Sequence, residues 1–153
     1  MKKILIVTYG GGHVNIINQI LLKSKSIKSF EIHIITLTSA KNKIFNQDYK
    51  IYNLIDFKEI FSSQENLKIN HYGNILLNEN HNPESAISIE ESIFYLGTSM
   101  YDLVIRKGEK MAFEDYRYNG RQSFFPVNIM EKIINYIKPN LLLTTNSPRF
   151  EAA

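Results

Sequence analysis

The chain has no cysteine, which excludes disulfides and thiolate metal sites and removes thiol nucleophiles from its chemistry. Metal binding by histidine and carboxylate stays open. It also lacks any long apolar run: Met1-Lys2-Lys3 starts basic, but the four apolar residues that follow are too few for a signal peptide, and no later stretch approaches membrane-spanning length. A cytoplasmic location is expected. No Gly-Lys-Ser/Thr follows the glycine cluster, so the P-loop reading fails, and no G-x-S-x-G elbow supplies a hydrolase nucleophile. The net charge is +3, yet Lys23, Lys25, Lys28, Lys41 and Lys43 are scattered and not interleaved with aromatics, so nucleic acid is not an expected partner. The basic bias suits a phosphate-bearing substrate or a peripheral contact with the inner face of an anionic membrane.

What is present fits one folded domain: 153 residues, 44% hydrophobic and 22% charged. The chain is organised around Tyr9-Gly10-Gly11-Gly12-His13. Ile4-Leu5-Ile6-Val7 before it has the length of a strand buried on both faces, and Val14, Ile17, Ile20, Leu21 and Ile27 after it recur at helical spacing. A second β-branched strand, Phe30 to Thr38, completes a βαβ unit, which requires a parallel sheet. The fold class predicted is α/β, a Rossmann-like parallel sheet with helices on both faces. His33, in mid-strand, reads as a hydrogen-bonded structural residue, because active groups sit at strand ends.

Further along, Ser39 to Asp48 suggests a short helix and Lys50 to Ile55 a third strand. Phe57, Ile60 and Phe61 suggest a helical turn, and the Asn-rich run Asn66 to Asn82 reads as a loop with one strand at Ile75-Leu76-Leu77. Asn82-Pro83-Glu84 reads as a helix start, followed by Ala86, Ile89, Ile93, Leu96, Met100 and Val104 on one buried face. Gly97 inside that pattern implies a bend or a close packing contact, and Gly108 a stop. Met111 to Phe125, with Tyr116 and Arg121, reads as a solvated charged loop, the alternative being recognition of sugars or phosphates. Pro126 opens a helix with Met130, Ile133, Ile134 and Ile137 on its core face, ended by Pro139. Asn140 to Thr145 predicts a buried strand, and Asn146-Ser147-Pro148-Arg149 the start of a second strand-loop-helix turn. The sequence stops there, at Glu151-Ala152-Ala153, with the look of an N-terminal piece of a longer two-domain protein.

The glycine turn does not satisfy the dinucleotide fingerprint, because Asn15 stands where its third glycine belongs and no acid ends the second strand. His13 stands at the mouth of the turn, placed either to act as a general base or substrate ligand or to cap its own helix. The helix start offers free N–H groups and a positive dipole end to an anion or polar oxygen, and the alternative is a plain tight turn.

Lys3-Ile4-Leu5-Ile6-Val7-Thr8-Tyr9-Gly10-Gly11-Gly12-His13 resembles the opening strand and glycine loop of GT-B glycosyltransferases, and Pro139 to Arg149 resembles, more loosely, a second cleft-facing loop. The resemblance implies two Rossmann-like domains around a cleft, the N-terminal one holding a glycan or lipid-linked acceptor. It implies that the absent C-terminal domain binds the nucleotide-sugar donor. Carried over by position, Gly10, Gly11, Gly12, Asn146, Ser147 and Arg149 would contact substrate, and His13 would be the catalytic base. No metal or other cofactor is implied, and this chain alone would not turn over. Two alternatives stay open: a partner-docking subunit of a split glycosyltransferase, and half of a nucleotide-sugar epimerase.

Overall fold

The computed structural model describes residues 1–24, 29–45, 49–80 and 87–145. Strand β1 (Lys2–Tyr9) lies at the centre of the fold. It pairs in parallel with β2 (Phe30–Leu37) on one side and with β4 (Leu141–Thr144) on the other, while β3 (Lys50–Asn53) pairs in parallel with β2. The sheet order is β3-β2-β1-β4. This is the α/β, Rossmann-like parallel sheet expected from the βαβ spacing, with β1 and β4 joined in one sheet and ending at the same edge.

Alternation along β1 sends Ile6 to one face and Leu5 and Val7 to the other. Ile6 packs with Ile34, Ala40 and Ile44 under helix α1 (Gly12–Ser24), which contributes Val14, Ile17 and Leu21. Ile20, expected on that buried face, is exposed. Leu5 and Val7 join Ile35 and Leu37 beneath the second layer: a 3₁₀ turn (Leu54–Ile60), α2 (Ser63–Asn80), α3 (Ile89–Lys107) and α5 (Val127–Ile137). Helix α4 (Glu109–Asn119) packs with α2 and α3 around Tyr72, Leu76, Met100, Leu103, Ala112, Tyr116 and Phe124.

Several expectations are changed by the structure. The Asn-rich run is helix α2, not a loop with a strand. Ile69, Tyr72, Gly73 and Leu76 form its buried stripe at helical spacing, while Asn74 and Asn80 donate from their side chains to the carbonyls of Asn70 and Leu76 one turn back. The asparagines therefore bond within a helix whose burial outweighs their preference for turns. The helix start at Asn82-Pro83 lies outside the described residues. Within them α3 opens at Ser88, whose side chain accepts from Glu91 N–H while the Glu91 carboxylate accepts from Ser88 N–H. The stretch from Met111 is not a loop but helix α4 as far as Asn119, anchored by buried Ala112 and Tyr116. Finally, β4 is not buried: among the described residues it is an edge strand, with Leu141 57% and Leu142 42% exposed. The short helix expected between Ser39 and Asp48 is a single 3₁₀ turn at Lys41–Lys43.

Gly97 resolves in favour of close packing. A Cβ there would stand 2.0 Å from the carbonyl oxygen of Ile69, and one at Gly73 would stand 2.1 Å from that of Ile93. The two helices thus touch backbone to backbone at reciprocal points. Helix α5 lacks a side-chain cap of its own, since Pro126 precedes it. Buried Asp102 of α3 takes that role, accepting from Asn128 N–H at 2.7 Å and Ile129 N–H at 3.2 Å while Arg106 Nε donates to its other oxygen at 2.7 Å.

Candidate functional site

In a parallel sheet whose strand order reverses, the loops on either side of the reversal diverge and leave a crevice at the carboxyl edge. Here β1 lies between β2 and β4, so by this rule the crevice belongs between the ends of β1 and β4. The glycine turn forms one lip. Gly11 has φ +71°, a conformation that side chains resist. Gly10 runs so close to the segment after β2 that a Cβ would lie 2.5 Å from Ser39 Oγ, and its N–H donates to Thr38 Oγ1 at 3.3 Å. Cβ atoms at Gly11 and Gly12 would meet nothing within 4 Å. The first turn of α1 carries no acid, so the positive end of its dipole is left without a counter-charge of its own.

His13, in that first turn, reaches across the crevice to Thr145 just beyond β4, with Nδ1 2.9 Å from Oγ1. This contact fixes the imidazole between the two strands that bound the crevice. If Nδ1 donates, Nε2 holds the lone pair that a base needs, and if Nδ1 accepts, Nε2 is a donor. Gly10, Gly11, Gly12 and His13 are therefore brought together at the carboxyl edge. Asn146, Ser147 and Arg149 lie outside the described residues.

Beside the turn, the same edge opens into a cleft of about 240 Å3 between the ends of β2 and β3, the start of α3, and Arg121. The two features are continuous, because Thr38 both receives the Gly10 N–H and lines the cleft, and the hydroxyls of Tyr9 and cleft-lining Tyr95 are 3.2 Å apart. Thr38 has φ +58°, an unusual conformation for a β-branched residue and a mark of stored strain at the cleft mouth. One wall is a closed polar network: Thr36 Oγ1 donates to Asn53 Oδ1 at 3.0 Å, and the Asn53 amide donates to Glu91. On the other wall Arg121 Nε donates to Asn80 Oδ1 at 2.8 Å, and Asn80 donates to the Tyr116 hydroxyl at 2.7 Å.

His33 is a structural residue, as its mid-strand place predicts. It is buried, with Nδ1 3.1 Å from the Tyr52 hydroxyl, and Nε2 lies 3.1 Å from Glu31 Oε1 but off the line of a good hydrogen bond. Burial outweighs the nearby carboxylate and holds the imidazole pKa below its ordinary value. The hydrogen bond from Lys50, 2.5 Å from Glu31 Oε1, in turn holds the Glu31 carboxyl below the usual range.

Sequence reasoning reached the turn and His13 but not Thr145, Tyr95 or Asn53, whose roles depend on distant pairing. Arg121 carried a signal, a cation in a tyrosine-rich stretch, that composition could not separate from solvated charge. Among the described residues no group of three His, Cys, Asp or Glu side chains is placed to hold a metal ion, and no helix is long and apolar enough to cross a membrane. No protein-family model, curated protein or solved structure matches the chain.

Proposed function

We propose that the chain is the acceptor-binding half of a GT-B-type glycosyltransferase, with the acceptor hydroxyl or its phosphate seated at the β1–β4 crevice. The observation that carries this reading is the 2.9 Å contact of His13 Nδ1 with Thr145 Oγ1 across the crevice, beside a glycine turn open to a ligand. It adds to the resemblance of the opening strand and glycine loop. In the transfer step, His13 takes the proton of the acceptor hydroxyl as its oxygen bonds to the anomeric carbon of the donor sugar. The bond from that carbon to phosphate breaks, and the nucleoside diphosphate leaves with the electron pair. The donor site belongs to a second domain, and the reaction needs no further cofactor.

His13→Ala in the complete parent protein is the test. A general base contributes about 100-fold to 10,000-fold, so turnover falls by that range with little change in stability. A His13→Ala protein that is destabilised yet fully active refutes the role. Tight calorimetric binding of UDP, GDP or their sugars by residues 1–153 would reverse the assignment of halves. A second reading, a subunit that docks a separate catalytic subunit, draws on the exposed Leu141 and Leu142 of β4. The coding sequence beyond Ala153 separates the two, since a complete enzyme needs a second domain of about 150 residues or more.

A further inference from the structure

The cleft beside the glycine turn has its own chemistry, which does not depend on the glycosyl-transfer reading. Its volume of about 240 Å3 is enough for a small ligand or one end of a larger one. Leu37, Leu54, Leu77 and Leu96 give it apolar walls. Glu91 is its only acid among the described lining residues, and that carboxylate is engaged by Asn53 on one oxygen and by Ser88 N–H and Oγ at 3.2 and 3.1 Å on the other. Arg121 is the only cation among them. Half-buried, it forms no ion pair with any described carboxylate, and among the described residues only its Nε is bonded, to Asn80.

A guanidinium held by Nε keeps its planar Nη pair oriented, and that fork matches two oxygens of a carboxylate or phosphate. The anchor is itself anchored, because Asn80 also donates to Leu76 O and to the Tyr116 hydroxyl, each at 2.7 Å. Two of these partners, Asn80 and Leu76, lie on α2, and Tyr116 lies on α4, so the cation stands on two packed helices. A site with leucine walls and one oriented cation selects for charge and apolar bulk together. We infer that this cleft binds a small amphipathic oxyanion, a carboxylate or phosphate on an apolar body, with Arg121 holding the charged group.

The experiment titrates the full chain with phenyl phosphate, phenylacetate, benzyl alcohol and inorganic phosphate, followed by calorimetry and by amide chemical shifts. At least one of the two aromatic anions binds, and the tighter one identifies the oxyanion. It shifts the amides of Thr38, Asn80 and Tyr95, and it binds at least about ten-fold more tightly than neutral benzyl alcohol or bare phosphate. Arg121→Gln weakens it about ten-fold or more, whereas Arg117→Gln, on the exposed face of α4, leaves it unchanged. Equal binding by wild type and Arg121→Gln overturns the inference. So does equal weakening by the two arginine variants, which would mark surface attraction. Absence of shifts at Thr38, Asn80 and Tyr95 in the wild-type chain overturns it without recourse to any variant.

Discussion

The two faces of the sheet are covered by different means. On one face α1 is, among the described residues, the α-helix that lies over β1 and β2; Val14, Ile17 and Leu21 meet Ile6 and Ile34 there, and buried Asn18 ties the helix to Lys43 and Phe45. On the other face, helices α2, α3 and α5 pack in a layer where α2 and α3 meet through bare backbone at Gly73 and Gly97, and where a buried carboxylate pins the start of α5. The first face is specified by apolar bulk, which neighbouring side chains can partly replace. The second has an apolar core as well, and adds to it a close backbone contact and one buried carboxylate, which nothing nearby can replace.

The largest effect expected from this contrast is at Gly97. Its Cβ position overlaps the Ile69 carbonyl, so Gly97→Val forces α2 and α3 apart and costs upward of about 3 kcal/mol, enough to unfold a marginal domain. Ile17→Val on the opposite face costs about 1 kcal/mol. Urea denaturation of both variants checks the pair, and comparable losses would dissolve the distinction.

Asp102 comes next. Asp102→Ala strips two N–H groups at the start of α5, that of Ile129 buried, of their acceptor, a loss of about 2 kcal/mol. Asp102→Asn keeps a carbonyl there and loses less. Hydrogen exchange at Asn128 and Ile129 reports the change locally, and unaltered protection in Asp102→Ala would show that the carboxylate is not the cap.

How much of this was legible follows from where each signal resides. Strand β1, the glycine turn, α1 and β2 lie consecutively, and each carries its own periodicity, so their pairing follows from chain proximity. Helix α2 was hidden because five asparagines and a glycine at position 73 resemble loop composition, although Ile69, Tyr72 and Leu76 already mark one face. The Ser88-to-Glu91 capping box was present in the sequence as Ser and Glu three residues apart but was not singled out. The leucines of β4 read as buried because apolar content does not tell a central strand from an edge. At the site, the turn and His13 were legible as local chemistry. Thr145, Tyr95 and the orientation of Arg121 come from contacts between segments far apart in the chain.

The smallest expected effect concerns pH and the buried ring at the sheet's other side. The folded His33 has a pKa below the ordinary value of 6.5, so the unfolded chain takes up its proton first. Above about pH 6.5 neither state is protonated there and the residue adds no pH dependence. As pH falls below that value, protonation of the unfolded chain drains stability until the folded pKa is passed. His33→Gln removes this part of the slope. Thermal melts of both proteins between pH 7 and 5 provide the check, and parallel curves would place the acid sensitivity elsewhere.

The crevice also implies an order of assembly. Gly10 and its partner Thr38 are 28 positions apart, whereas Lys3 and Asn140, which tie β1 to β4, are 137 apart. Closing the longer loop costs about 1.4 kcal/mol more in chain entropy, and during synthesis His13 leaves the ribosome 132 residues ahead of Thr145. At roughly 5–20 residues per second, the imidazole waits on the order of ten seconds for the hydroxyl that orients it. The β1–β2 half of the sheet has time to form first, and pulsed hydrogen exchange during refolding should find its amides protected ahead of those of β4. The nascent chain therefore carries its glycine turn early but gains an oriented His13 only when nearly all of the described fold has been made.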